Sequence, residues 1–320
     1  MAASTLPALL PRRRVVDVLV PVALDRAYSY RVPDDMALSP GDIVQVPLGA
    51  RQATAVVWAD NPAPNPRLDN RLKEVAEKLD VPPLKPELRR FVDWVSNYTL
   101  SARGMVLRMC LRMGEHLGEE RARIGVRLAG PPPKRLRPAR NRVLAVLAGG
   151  LVRAKADVAE EAGVTPGVID GLVDEGTLEA LVLPPEPVAR APEPEFSPPD
   201  FTADQRAAAD TLRATVAAGG YSATLVDGVT GSGKTQVYFE AVAECVRRGR
   251  QTLILMPEIA LTAQVLDRFA ERFGVRPAEW HSQLSPRRRA RTWAAVAKGE
   301  ASVVVGARSA LFLPYAELGL

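Results

Sequence analysis

The 320-residue sequence predicts a multidomain α/β chain: a small β-rich domain, a winged helix, then a P-loop α/β lobe. Three observations predict it. Short β-branched runs broken by turn residues fill 15–60. Three short apolar helices and a closing strand fit 140–183. Beyond 201, short apolar strands alternate with longer helices, the pattern of a parallel sheet covered on both faces. The length also exceeds one ordinary domain.

Residues 1–13 are expected to be disordered. MAASTLPALLPRRR places its arginines after a short apolar stretch and has no long apolar region, unlike a signal peptide. The first domain, 14–117, opens with the strand runs VVDVLVPVA, YSYRV, DIVQVPLG and TAVVWA. Ser39-Pro40-Gly41-Asp42 supplies a turn, because proline presets φ and glycine admits a positive value. The spacing of Leu88, Phe91, Val92, Val95 and Tyr98 predicts an amphipathic helix, with Gly104 as its break or cap.

Residues 118–139 are charged and then proline-rich through Pro131-Pro132-Pro133 and KRLRPAR, and read as a connector. In 140–183, Val143, Leu144 and Leu147 suit one helix, and Val158, Ala159 and Ala162 a second. Thr165 is placed to N-cap a third, with Pro166 in its first turn and Gly176 ending it, before the strand TLEALVL. PPEPVARAPEPEFSPPD, over 184–200, reads as a semi-stiff linker. The lobe, 201–320, runs through strand SATLVDG, helix TQVYFEAVAECVRR, strand QTLILMP, helix AQVLDRFAERF, a basic helix Pro286–Lys298 and strand SVVVGA.

Lysine and arginine outnumber aspartate and glutamate by 42 to 37, which permits a nucleic-acid partner without demanding one. The two cysteines, Cys110 and Cys245, lie far apart, outside any CxxC or histidine cluster. They draw no zinc site and no disulfide framework, and they suit a reducing cytoplasm. No apolar run reaches the roughly 18 residues of a membrane span, so no membrane partner is expected.

Gly228-Val229-Thr230-Gly231-Ser232-Gly233-Lys234-Thr235 matches GxxxxGK[ST] at every defined position, between an expected strand and a helix. Such glycines let a loop wrap phosphates with its backbone N–H groups at the positive end of the helix. Lys234 is expected on the β- and γ-phosphates of ATP and Thr235 on Mg²⁺.

Phe201-Thr202-Ala203-Asp204-Gln205, GVTGSGKT, MPEIALTAQ, HSQLS and VVVGARSALFLP follow one another at spacings that closely resemble the PriA family (primosomal protein N′), bacterial replication-restart helicases of superfamily 2. VPVALDRAYSYRVPDDM and GDIVQVPLG resemble that family's DNA 3′-end-binding domain, so the resemblance spans nearly the whole chain. It implies that 201–320 is a RecA-like first motor lobe and that Gln205 contacts adenine. It also places DNA strand contacts at Pro257, Glu258 and Thr262, and at Gly306, Ala307, Arg308 and Ser309. Arg308 reads equally as a structural ion-pair partner.

By the same resemblance Tyr28, Ser29, Tyr30, Gly49 and Lys73 form the pocket for a nascent strand's 3′ end. Ser29 stands where the family commonly has aspartate, and a hydroxyl is the weaker acceptor for a 3′-OH. Tyr28 and Tyr30, on alternating strand positions, also fit same-face packing. His281 is assigned to the structure of the lobe and His116 to the surface. The runs Arg287–Arg291 and Lys134–Arg142 read either as solvated faces or as phosphate contacts. The Thr165–Asp174 helix carries Asp170 and Asp174 and no base-reading side chain.

The chain stops at Leu320, before the family's Asp-Glu-Glu-His stretch, its second lobe with arginine fingers and its zinc module. The lobe is therefore expected to be incomplete at its C-terminus. ATP and Mg²⁺ are the expected cofactors, with Zn²⁺ only in the missing C-terminal part. Forked and single-stranded DNA are the expected partners, with single-strand-binding protein and primosome loader proteins implied by resemblance, in a cytoplasmic, nucleoid-associated setting. The expected function is an ATP-dependent 3′–5′ helicase of replication restart, of which this part binds ATP and DNA with little hydrolysis. The alternative is a non-hydrolysing fork-binding protein. A small-molecule P-loop transferase would need neither the winged helix nor the PEIALT and GARSAL segments.

Overall fold

The computed structural model describes residues 14–63, 71–113, 117, 123–133, 135–184, 187–257 and 263–320. They divide into two compact units, one joining the residues up to 118 with 187–320, the other 119–186.

In the larger unit the alternation of apolar residues places β1 (Val15–Leu19), β2 (Tyr28–Arg31), β3 (Ile43–Leu48), β4 (Arg51–Asp60) and β5 (Glu77–Lys78) in an antiparallel sheet of order β2-β1-β4-β3-β5. A bridge between Arg31 and Glu74, with Arg31 N–H donating to the Lys73 carbonyl, brings the two edges together. One face buries Val16, Val18, Tyr30, Val44, Val46 and Val57; the other sends Leu19, Ile43 and Val56 into a second core. The expected turn at Ser39–Asp42 forms, with Gly41 at φ 107° and the Asp42 carboxylate accepting from Ser39 N–H and Lys78 Nζ.

Two helices follow, α1 (Pro86–Thr99) and α2 (Arg103–Cys110). The break falls at Leu100, whose φ of 53° is left-handed, and not at Gly104. Gly104 lies inside α2, where a Cβ would stand 2.2 Å from the Val22 carbonyl oxygen. Its role is close approach, which lets α2 lie directly on the chain leaving β1.

Beyond residue 200, β9 (Thr252–Leu255), β10 (Ala278–Trp280) and β11 (Val303–Gly306) form a parallel sheet of order β10-β11-β9. Helices α7 (Lys234–Arg247) and α8 (Ala263–Phe273) cover the face of Ile254 and Val303 with Phe239, Phe269 and Phe273. Helix α9 (Pro286–Ala297) covers the face of Leu253 and Val304, and its Trp293 shares one core with Leu107 and Cys110 of α2. Trp293 Nε1 donates to the Cys110 carbonyl at 2.8 Å. Helix α6 (Ala203–Ala218) packs Ala209 and Leu212 on Val237 and Ala241 of α7.

Two expectations are corrected here. Ser222–Gly228 is not a strand: it has no ladder partner among the described residues, and Leu225 is 90% exposed. An apolar run becomes a strand only through a neighbour's hydrogen bonds. The open side of β9 instead takes Leu318–Leu320, through a parallel Gln251–Leu318 bridge and Leu253 N–H to the Leu320 carbonyl. Residues 187–200 are not a free linker. Val188 and Ala189 rest on the core, Glu193 N–H donates to the Phe273 carbonyl, and Arg272 donates to the Pro194 carbonyl. Prolines deny this segment a ladder but not docking by side chains and carbonyls.

In the smaller unit, α3 (Pro138–Val146), α4 (Lys155–Glu161) and α5 (Pro166–Asp174) bury Val143, Leu147, Val158, Ile169 and Leu172. The sheet holds β6 (Arg123–Leu128), β7 (Arg153–Ala154) and β8 (Leu178–Leu183) in antiparallel order β7-β6-β8. β6 falls in the stretch read as a connector. It is short and masked by charge, and Gly125 admits the Leu183 and Val152 side chains where a Cβ would collide. Helix α5 begins at Pro166 as expected, yet Thr165 makes no side-chain cap, so the proline's preset φ carries the start.

Candidate nucleotide-binding and nucleic-acid-binding sites

The P-loop enters α7 through two left-handed glycines, Gly231 (φ 82°) and Gly233 (φ 80°). Gly233 caps the helix, so the loop curls over the amino end of a 14-residue helix whose first N–H groups have no intrahelical acceptor. Two of the glycines are also closely approached: a Cβ on Gly228 would stand 2.7 Å from Ser232 Oγ, and one on Gly233 would stand 2.7 Å from Gln205 Nε2, each a side-chain tip that would have to turn aside. Lys234 Nζ donates to the Gly228 and Val229 carbonyls at 2.6 and 2.9 Å, which holds its charge across the loop. Asp227 Oδ1 accepts from Gly228 N–H, and Thr235 sits half-buried in the first turn of α7. Thr230 is exposed on the rim.

Gln205 stands against this loop. Its Oε1 accepts from Thr202 N–H while Thr202 Oγ1 accepts from Gln205 N–H, the reciprocal box that starts α6. Its Nε2 donates to the Ser232 carbonyl at 2.9 Å. The glutamine thus couples α6 to the loop and is more than an exposed helix residue. The fit to a nucleotide is good on these observations: a helix amino end, two left-handed glycines leading into it, a lysine reaching across, and a hydroxyl one residue on.

The five residues expected at a DNA 3′ end do not share one face. Tyr30 is a core residue, 4% exposed, whose OH donates to the Pro47 carbonyl; burial raises its phenol above the ordinary range. Tyr28 packs half-buried against the same core, with the Arg26 guanidinium 6.0 Å from its ring centroid. Lys73 Nζ donates to the Gly49 carbonyl at 3.2 Å, at the end of the sheet near Pro47. Ser29 faces the other way by the strand's pleat. Its Oγ donates to Asp17 Oδ1 at 2.7 Å, directly across β1, and Asn61 Nδ2 donates to both. The two tyrosines lie on one face, Tyr30 buried in the core and Tyr28 with part of its ring exposed. Sequence reasoning missed Asp17 and Asn61; the signal for Asp17 was its position as the one charge within VVDVLVPVA.

In the lobe, the parallel pairing of β9 and β11 ends at Leu255 and Gly306, and Met256 N–H donates to the Gly306 carbonyl. Pro257 and Gly306–Ser309 therefore meet at the carboxyl edge of the sheet, where open α/β sheets bind ligands. Arg308 opens a 3-10 turn, Arg308–Phe312, exposed and with no carboxylate partner among the described residues. Ser309 is half-buried beside it. Glu258 and Thr262 lie outside the described residues, as do His116 and Lys134.

Several of the ambiguous charges are structural. Glu279 receives both His281, at 3.4 Å, and Arg288, at 3.6 Å. Arg140 forks onto Glu175, and Arg142 donates to the Ala162 carbonyl. Asp170 of α5 pairs with Lys155.

Comparison with known proteins matches two family models in one chain. Residues 17–112 match the 3'DNA-binding domain (3'BD) of PriA, and residues 202–317 match the DEAD/DEAH box helicase model. Replication restart protein PriA of Haemophilus influenzae is 30% identical over 317 residues, which is 96% of this chain and 43% of that protein. The protein of the same name from Rickettsia felis is 27% identical over 308 residues, 96% of this chain and 36% of its own length. That of Bacillus subtilis is 40% identical over 123 residues, 38% of this chain. The chain thus spans less than half the length of these relatives. With both domain models in order and PriA relatives matched along nearly its whole length, the chain belongs to the PriA replication restart family, whose N-terminal portion it fits.

Proposed function

We propose that this chain is the ATP-binding and DNA-recognising part of a 3′–5′ replication-restart helicase. The observation that carries the reading is the Gly228–Thr235 loop on α7, closed by Lys234 and braced by Gln205. Within Gly228–Thr235, Val229, Gly231 and Gly233 would present backbone N–H groups to the phosphates, Lys234 its charge, and Thr235 its hydroxyl to Mg²⁺, while Gly228 N–H is held by Asp227 and Ser232 N–H by the Val229 carbonyl. Bound Mg²⁺–ATP would supply the phosphoryl chemistry that drives strand movement. Gln205, adjacent to the loop, is suited to orient the base. Pro257 and Gly306–Ser309 at the sheet's carboxyl edge would hold one DNA strand by its backbone, without reading sequence. The three-helix unit with its antiparallel sheet has the composition of a winged helix, and its acidic α5 favours shape and backbone contacts over base readout. Single-strand-binding protein and primosome loaders, the cytoplasmic setting and low hydrolysis by this part alone belong to the same proposal.

The test is nucleotide binding and DNA-stimulated phosphate release by the chain and its Lys234→Ala variant, with a forked DNA bearing a free 3′ end. The expected result is ATP binding lost in the variant, fork binding kept by both, and little turnover by either. ATP binding unchanged by Lys234→Ala would overturn the assigned site, and brisk turnover would overturn the low-hydrolysis reading.

A further inference from the structure

Two clefts meet on the face opposite α7 and α8. The first, of about 990 Å³, lies between the β3–β4 hairpin, β5 and α2; its floor includes Val20, Val22 and Ala53, and its rim carries Arg51 and Arg108. The second, of about 570 Å³, runs between α2 and α9 and carries Arg108, Arg112 and Arg289. They share Met105, Arg108 and Leu111, so they form one trough from the sheet that matches a DNA-binding domain to the lobe that matches a helicase.

On the helices beside the trough, Arg90 of α1 and Arg103 of α2 each hold a carboxylate. Arg51 and Arg108 are exposed and have no carboxylate partner among the described residues. Arg289 spends one donor on the Ser282 carbonyl and keeps the rest of its fork. Among the described residues, Glu77 is the one acid lining either cleft. Arginines left unpaired along a groove raise a positive potential there and suit a ligand of repeated negative charge. Gln45 Nε2 donates to Thr54 Oγ1 on the wall, and the apolar floor with half-exposed Met105 and Met109 suits sugars and bases more than an acidic peptide.

We propose that this trough carries the phosphate backbone of single-stranded DNA between the β-rich domain and the motor lobe, with Arg108 at the junction as its central contact and Arg51 and Arg289 to either side. The inference rests on the DNA-binding reading above but assigns residues outside the 3′-end pocket and the lobe's strand motifs. It requires binding that does not depend on a free 3′-OH.

The test is fluorescence anisotropy with a 5′-labelled oligothymidylate, with its 3′ end free or blocked by phosphate, over a series of salt concentrations. Arg108→Glu is expected to weaken binding about tenfold and to lower the salt slope by about one, equally for both ends. Arg51→Glu should add to it. Arg268→Glu, the same charge change on α8 across the sheet, should leave affinity within about twofold. Equal loss for Arg108→Glu and Arg268→Glu would overturn the trough. So would binding that falls with Lys73→Ala and a blocked 3′ end but is indifferent to Arg108→Glu, and that result would leave the DNA-binding reading standing. No binding of either oligonucleotide by the unmodified chain would overturn both.

Discussion

Gln205 Nε2 donates to the Ser232 carbonyl at 2.9 Å while Gln205 Oε1 accepts from Thr202 N–H, so one side chain joins the start of α6 to the phosphate loop. Gln205→Glu keeps the acceptor for Thr202 and sets a carboxylate against the Ser232 carbonyl, losing one hydrogen bond and adding repulsion. That is about 1–2 kcal/mol at the loop, or roughly tenfold in nucleotide affinity. Titration with a fluorescent ATP analogue reads it directly, with the melting temperature as a control for global damage. Unchanged affinity would show that the brace has no part in binding.

A buried ion triad gives the second prediction. Glu240, 4% exposed, accepts from Arg272 at 2.8 Å and from Arg213 at 2.9 Å, and Arg272 is itself 1% exposed. Glu240→Ala leaves the Arg272 charge buried beside the Phe273 ring with only a carbonyl partner, and should cost about 3–5 kcal/mol. Arg213 is a third exposed, and Arg213→Ala should cost under about 1 kcal/mol. Denaturant unfolding of both variants checks the ordering, and comparable losses would refute it.

Gly104 tests whether α2 is seated as described. A Cβ there meets the Val20 and Val22 carbonyl oxygens at 2.5 and 2.2 Å, both backbone atoms that cannot rotate away. Gly104→Ala, which would stabilise a free helix, should destabilise this chain by about 1–3 kcal/mol. A melting temperature equal to or above the unmodified chain's would contradict the contact.

The two thiols are expected to be inert. Burial pushes the Cys110 thiol far up and raises that of Cys245 as well, so neither is thiolate at neutral pH. A chromogenic disulfide should release no colour from the folded chain and should titrate both cysteines in denaturant. Fast labelling of either under native conditions would be inconsistent with this core.

Much of the site was legible in the residues because its physics is local. A GxxxxGK[ST] string needs only its own glycines and a following helix, and both are present at Gly228–Thr235 and α7. The strands of the first domain were equally legible, since alternation, turn residues and β-branching act within a few positions. What failed depended on partners distant in sequence. SATLVDG has a strand's composition but no neighbour to bond among the described residues, and the side of β9 takes Leu318–Leu320 from far along the chain. β6 was hidden among charges because its strand character comes from β8, some fifty residues on. Composition could not tell that the proline-rich 187–200 would dock through Arg272 and Phe273, or that Asp17 would be the partner of Ser29. The phosphate loop, the antiparallel first sheet, the parallel later one and the order of the modules could be read from the residues, because each follows from short-range periodicity and backbone freedom. That α2 and α9 share a core through Trp293 and Cys110 could be seen only in the folded chain, because burial and hydrogen bonding across 183 positions are set by packing, which no local pattern encodes.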